Sequence, residues 1–384
     1  MKRIVFLTLA AAVVSAAAPG LGAAETGDAA RPRVEAVFVL DTTGSMGGLI
    51  DAAKQKIWAI ANTMATAKPA PDIRMGLVGY RDRGDAYVTT RTPLTTDLDA
   101  VYRDLMAYQA NGGGDTPESV NQALHEAVTR MDWSKDPRTY RVIFLVGDCP
   151  PHMDYANDVK YPQTCETAAR AGIVINTIQC GTQDATTPVW RDVALRAEGR
   201  FFQVEQSGSA ILASTPFDGK LADLSRRLDE TRIYYGEAEE VGRNRARQEV
   251  ADAIYAAAPA AALATRAEFN ARASGAANFA LDKELLTDVA AGKVKAAELK
   301  TDVLPEALQK MPAKDRDAFV KQRLAEREKI QAEIRQLAGQ RQKHLEQQAK
   351  QRAAGKPSLD QGIFDCIRKQ GAERGLTYEG GPAL

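Results

Sequence analysis

The chain has 384 residues, its 50 Lys+Arg balance its 50 Asp+Glu, and its formal net charge is zero. Global charge therefore names no partner and no nucleic acid is expected. The composition, 45% hydrophobic and 26% charged, is that of an ordinary globular protein and excludes a solvated, disordered chain.

Lys2 and Arg3 precede the apolar run IVFLTLAAAVVSAAA and the small-residue stretch GLGAAE, which is the pattern of a secretory signal. The run is short for a bilayer span, which needs roughly 20 apolar residues. Residues 1–24 are read as a signal cleaved after Ala23 or Ala24, with an uncleaved anchor as the alternative. Without Lys2 and Arg3 the count is 48 basic against 50 acidic residues, a net charge of −2. No later segment is apolar enough to cross a membrane. An exported protein is expected, periplasmic first and secreted next, with room for two folding units at ~150 residues each.

From Val34 to about Gln206 short apolar runs alternate with amphipathic stretches, as a doubly wound α/β sheet requires. EAVFVLD reads as a buried first strand, LIDAAKQKIWAIANTMA as a helix, and DIRMGLVGY as a second strand. AYVTTRTPL follows too closely to admit a crossover helix, so this third strand is predicted antiparallel, at the sheet edge. A helix around Leu98–Tyr108, the Gly-rich loop NGGGDTPES, a helix through Val120 to Met131 and the strand TYRVIFLVGD come next. A helix near Gln163–Arg170, the strand GIVINTIQCG, a helix around Val189–Ala197 and the strand RFFQVEQ complete the unit. KLADLSRRLDETRIYY places Leu221, Leu224 and Leu228 on one helix face, predicted to pack back on the sheet.

Beyond about Glu237 no strand-like run survives. Ala, Glu, Lys, Arg and Gln dominate, so residues 236–384 are read as an all-α, charged region with a frayed tail. Between Pro312 and Lys356 twelve Lys/Arg face six Asp/Glu, a local excess of +6, read as a solvated helix surface, with an anionic partner as the alternative. Phe319, Val320, Leu324, Ile330, Ile334, Leu337 and Leu345 fit no continuous heptad, which predicts a long helix or helical hairpin rather than a regular coiled coil.

The chemistry concentrates where the first strand ends, at Asp41-Thr42-Thr43-Gly44-Ser45-Met46. In an open parallel sheet, ligands bind at the carboxyl ends of the strands. A carboxylate and hydroxyls at Asp41, Thr43 and Ser45 can converge on one point and offer only oxygen, which suits a hard cation such as Mg²⁺. Thr116, in the Gly-rich loop, and Asp148, ending the most apolar strand, point to the same edge. With only two carboxylates among five ligands, the ion keeps net positive character and an open position for an acidic group of a partner.

This D-x-T-x-S, with the downstream Thr and the later Asp, resembles the metal-ion-dependent adhesion site of von Willebrand factor type A domains. The strand and helix order, with its antiparallel edge strand, also resembles that fold, over residues 33–235. More narrowly, VLDTTGSM with VGYRDRGD and INTIQCG is similar to bacterial A-domain proteins akin to the alpha-kinase type. No kinase portion follows Glu237, so the resemblance implies metal-dependent binding and not phosphoryl transfer.

Several features compete for attention. Arg83-Gly84-Asp85 is read as ordinary turn chemistry, although its strand direction makes Arg81, Asp82 and Asp85 candidates for a ligand rim, with Asp115 and His152. The histidines at 125, 152 and 344 assemble no zinc motif or Ser-His-Asp triad. Cys165 and Cys180 are expected at the same edge, and a bond between them would close a loop of about 15 residues worth roughly 3 kcal/mol in the chain-entropy model. Cys149–Cys366 is a second candidate pair, and free buried thiols are the alternative.

The sequence thus favours a non-enzymatic envelope module that captures an acidic protein partner through a divalent cation, Mg²⁺ before Mn²⁺ or Ca²⁺. A metal-dependent hydrolase with Asp115, Glu118 or His152 as base, and a structural role carried by the helices, are the alternatives.

Overall fold

The computed structural model describes residues 31–204, 214–280, 282–352, 359–379 and 381. The expected signal at 1–24 lies outside these residues. Alternation begins with β1 (Arg33–Asp41), α1 (Gly47–Ala65), β2 (Asp72–Tyr80), β3 (Thr89–Thr95), α2 (Leu98–Ala107) and α3 (Val120–Thr129). It continues through β4 (Tyr140–Gly147), α4 (Tyr161–Arg170), β5 (Ile173–Cys180), α5 (Thr186–Arg196), β6 (Phe201–Val204) and α6 (Asp218–Asp229). Helices then follow alone: α7 (Ala238–Ala257), α8 (Ala260–Asn270), α9 (Ala276–Ala280), α10 (Leu285–Ala290), α11 (Glu306–Gln309), α12 (Ala313–Arg352) and α13 (Leu359–Ala372).

The six strands form one sheet in the order β3-β2-β1-β4-β5-β6. All neighbours are parallel except β2 and β3, so the short connection does place an antiparallel strand at the edge. Side chains alternate between faces. Ala36, Phe38 and Leu40 of β1 join one core with α1 and α2, while Val37 and Val39 join the other with α3, α4 and α5. The central strands are buried on both faces, which is why they read as continuous apolar runs.

Strand parity also decides the cysteines. Cys180 shares the face of Ile178, on the α1 side, whereas Cys165 on α4 packs with Ile173 and Ile175 on the opposite side. The expected Cys165–Cys180 bond is therefore not formed, nor is Cys149–Cys366, and all four cysteines are buried free thiols.

The helical region departs from expectation in two places. Leu221, Leu224 and Leu228 of α6 do not pack on the sheet; they meet Ala264 and Ala267 of α8 and Ile330 and Ile334 of α12. That sheet face is taken instead by α13, whose Ile363, Phe364 and Ile367 enter the sheet core together with Leu376 and Tyr378. The Gly-rich end expected to fray lies, apart from Gly381, outside the described residues; ahead of it Lys68 N–H donates to the Thr377 carbonyl at 2.8 Å and Thr377 N–H returns the bond to Lys68 at 2.9 Å.

A polar knot fixes α13 in register. Tyr140 Oη donates to Gln370 Oε1 at 2.7 Å, Gln370 Nε2 donates to Asn176 Oδ1 at 3.0 Å, and Cys366 Sγ donates to the same oxygen at 3.2 Å. Residues 359–379 therefore complete the core of a sheet that begins more than 300 residues earlier in the chain.

The 40 residues of α12 form one uninterrupted helix, ~60 Å long at 1.5 Å per residue. Its buried residues include Arg316, Val320, Arg327, Ile330, Ile334, Ala338, Arg341 and Leu345. Val320, Arg327, Ile334 and Arg341 are spaced by sevens, so a heptad seam exists, with arginines standing in two of those positions. Arg327 makes a two-pronged bond to both oxygens of Glu284, each at 2.9 Å, and Arg341 Nε reaches Asp218 Oδ1 at 2.8 Å.

Phe364→Ala is expected to cost ~3–5 kcal/mol, read as a lower urea midpoint. Deletion from Leu359 onward is expected to abolish cooperative unfolding of the α/β unit; an unchanged midpoint would show that α13 is dispensable to the core.

Candidate metal centre

β1, β2 and β4 run parallel and stop together, so Asp41 pairs in register with Tyr80 and lies beside Gly147, which Asp148 follows. Gly147 has a steric role: a Cβ there would stand 2.4 Å from the Tyr80 hydroxyl and 3.1 Å from Asp41 Cβ. Asp41 Oδ1 accepts from Thr43 N–H at 2.9 Å and from Thr43 Oγ1 at 2.6 Å. The Ser45 hydroxyl follows, 3.2 Å from Thr43 Oγ1. Asp41 and Thr43 are buried while Ser45 is exposed, so the turn climbs from the core to the surface.

The Gly-rich loop is laid against this turn by backbone bonds. Asn111 N–H donates to the Thr42 carbonyl and Gly44 N–H to the Gly112 carbonyl, both at 3.1 Å. Gly113 adopts φ +74°, and a Cβ on it would lie 3.0 Å from Thr43 Cβ and 2.9 Å from Glu118 Oε1. The same loop is tied to the third segment, since Glu118 N–H donates to the Pro150 carbonyl and His152 N–H to the Glu118 carbonyl, both at 3.0 Å. Thr116 is exposed, with its hydroxyl 3.8 Å from Cys149 Sγ, next to Asp148. Asp41, Thr43, Ser45, Thr116 and Asp148 are thus brought to one edge by three chain segments.

The electrostatics of that edge favour a cation. Burial pushes the Asp41 carboxyl up to about 7 against its Thr43 hydrogen bonds, and the charge of Asp148 adds to the rise. Asp41 Oδ2 is buried without a well-formed hydrogen bond, the Tyr80 hydroxyl being the nearby donor that steadies its charge slightly. A buried carboxylate oxygen, a second carboxylate and hydroxyls at the mouth form an all-oxygen donor set, which fits a hard divalent ion.

Glu118, a candidate base by sequence, is buried, and its carboxyl is pushed up to about 9 by burial and then by the charges of Asp41, Asp82, Asp85 and Asp148. Its place in a Thr-Pro-Glu helix opening gives no sign of this, because the crowding comes from other segments.

A family model described as von Willebrand factor A domain matches residues 35–193. This chain carries a von Willebrand factor A domain. The human von Willebrand factor A domain-containing protein 7 is 37% identical over 114 residues, covering 30% of this chain and 12% of its own length. An alpha-protein kinase of Dictyostelium discoideum is 28% identical over 120 residues, covering 31% of this chain and 19% of its own length. The chain spans less than a fifth of the curated relatives it matches. Among solved structures, the SpRpn10 VWA domain aligns at a TM-score of 0.36 and 14% identity, covering 46% of this chain and 89% of that one.

The expected rim of the A domain divides on inspection. Arg81 is buried and its guanidinium donates to the Thr42 and Gln109 carbonyls at 3.2 and 2.8 Å, so it braces the loops instead of facing a ligand. Asp85 Oδ2 clamps Gly113 N–H at 3.0 Å and Asp82 N–H at 3.1 Å. Asp82 and His152 are buried, and Asp115 alone of the five is exposed. Arg83-Gly84-Asp85 is engaged within the fold, Arg83 pairing with Asp158 at 2.5 Å.

Because the folded state raises the Asp41 and Glu118 pKa values to about 7 and about 9, folded chain without cation holds protons that unfolded chain has released above about pH 4.5. That contribution is complete below the unfolded values and is lost as pH rises. Asp136, held down to about 2 by Arg138, acts only below about pH 4 and does not confuse the window. In chelator the urea midpoint is expected to fall between about pH 5 and about pH 8, and millimolar Mg²⁺ is expected to flatten the fall. A midpoint that rises with pH in chelator contradicts this account.

Proposed function

We propose that this protein is a metal-ion-dependent recognition module of the cell envelope, and not an enzyme. Asp41, Thr43, Ser45, Thr116 and Asp148 hold a divalent cation, Mg²⁺ on the hardness of the donors. The bound ion supplies a Lewis-acid position that an acidic side chain of a partner protein completes. The observation that carries this reading is the buried Asp41 carboxylate, whose Oδ2 lacks a well-formed hydrogen bond, beneath the exposed hydroxyl-bearing residues Ser45 and Thr116. The residues beneath bind and neutralise; the residues at the mouth leave room for a ligand.

Recognition is preferred to hydrolysis because neither buried candidate base suits the task. Glu118 is buried, and its backbone ties the Gly-rich loop to the segment after β4. His152 is turned toward Asp82 and Asp154. The lysine and arginine pair and the apolar run at the start of the chain support export, with the periplasm as destination. No helix among the described residues is long and apolar enough to cross a membrane.

The test is a pulldown from envelope extract with immobilised protein in Mg²⁺, in chelator, and with the Asp41→Ala variant. A partner retained in Mg²⁺ is expected to be lost in both other arms, while the variant melts as one cooperative unit. Retention by Asp41→Ala at undiminished affinity would overturn the reading.

A further inference from the structure

Beside the oxygen-lined edge lies a second group of ligating atoms with different chemistry. Asp82 follows β2, Asp115 lies in the Gly-rich loop and His152 in the segment after β4. One ligand atom from each lies within 4.8 Å of the other two. Both Asp82 and His152 are more than nine-tenths buried, with relative exposures of 5% and 6%. The residues are held from several sides: Ser119 Oγ donates to Asp82 Oδ1 at 2.8 Å, Tyr155 Oη donates to Asp82 Oδ2 at 2.8 Å, and Asn121 Nδ2 donates to the His152 carbonyl at 2.6 Å.

The orientation of His152 carries the argument. Its Nδ1 lies 2.9 Å from Asp154 Oδ1, and a proton shared there leaves Nε2 as the free lone pair. Nε2 is buried without a hydrogen-bond partner, yet it is aimed at Asp82 Oδ2 from 3.4 Å. A lone pair facing a carboxylate oxygen is repulsive unless a cation sits between them. An outer carboxylate on Nδ1 with Nε2 turned inward is how a metal-binding imidazole is held. One nitrogen with two carboxylates favours a borderline ion such as Zn²⁺ over Mg²⁺. The exposed Asp115 can close on the ion and leaves the solvent side open.

We propose that Asp82, Asp115 and His152 form a second cation site, selective for Zn²⁺-like ions and distinct from the all-oxygen set at Asp41. The competing explanation is an imidazolium bridging Asp154 and Asp82 with no ion.

Co²⁺ is the probe, because its visible absorption is intense in a low-coordinate, Zn²⁺-like site and weak in an octahedral all-oxygen one, and Zn²⁺ displaces it. The full chain is titrated alongside Asp41→Ala, Asp115→Asn, His152→Gln and Asp154→Asn. The band is expected in wild type and in Asp41→Ala, displaced by Zn²⁺ and not by equimolar Mg²⁺. Asp115→Asn, at an exposed position that leaves the fold untouched, and His152→Gln are each expected to weaken Co²⁺ binding at least ~10-fold, and Asp154→Asn by ~10–100-fold through loss of the outer negative charge that fixes the imidazole tautomer. A wild type without the band, or a band unchanged in Asp115→Asn and His152→Gln, would overturn the site. A band lost only in Asp41→Ala would also overturn it while leaving the first site standing, so the two readings fail separately.

Discussion

Carboxyl groups crowd the carboxyl-terminal edge of the sheet more densely than a dry interior tolerates. Asp41, Asp148, Glu118 and Asp82 are all buried there, drawn from β1, the segment after β4, the Gly-rich loop and the turn after β2. Two like charges ~4 Å apart repel by roughly 4 kcal/mol at an effective dielectric of ~20, so acidic groups gathered from separate segments oppose one another's ionisation. Burial first, and the neighbouring charges after it, hold the Asp41 and Glu118 carboxyls well above ordinary carboxylates in the cation-free protein. A divalent ion would offset this repulsion, and under the function proposed above the exposed residues at the mouth, Ser45 and Thr116, would leave room there for a partner.

The helices that follow the A domain are built into it. Asn278, on α9, caps α2 through the amides of Leu98 and Asp99 at 2.6 and 3.2 Å. Arg266 on α8 grips both oxygens of Asp99 at 2.7 and 2.5 Å and reaches Asp229 on α6 at 2.9 Å. Burial opposes this charge, but Asp229 and Asp99 outweigh it and hold the guanidinium protonated. Breaking one partner of such a buried pair strands the other, at roughly 3–5 kcal/mol, so the clamps discriminate sharply against a shifted helix. The same logic applies to Arg327 with Glu284 and to Arg341 with Asp218 along α12.

The heptad seam of α12 shows why part of this was hidden. Hydrophobic periodicity is read from apolar residues, and at Arg327 and Arg341 the seam carries guanidinium groups whose charge is cancelled by acids far away in the chain. The role of α13 was hidden for a related reason. SLDQGIFDCIRKQ is a plain amphipathic helix, and nothing in its spacing says that its apolar face fills a gap beside β5 and β6 that α6 leaves open. The expected Cys165–Cys180 bond turns on strand parity: Cys180 points to the sheet face opposite the one that Cys165 packs against.

What the sequence determined by itself was local and periodic: the buried strands, the helix faces, the antiparallel strand forced by a short connection, and the oxygen-bearing turn at Asp41. Each follows from spacing within a dozen residues. What only the tertiary structure decided depends on groups that meet from distant segments: the depth at which Asp41 and Glu118 lose their water, the aim of His152 at Asp82, the arginine seam, and the C-terminal helix in the sheet core. Burial and charge pairing are properties of the assembled neighbourhood, and no stretch of chain contains its own neighbours.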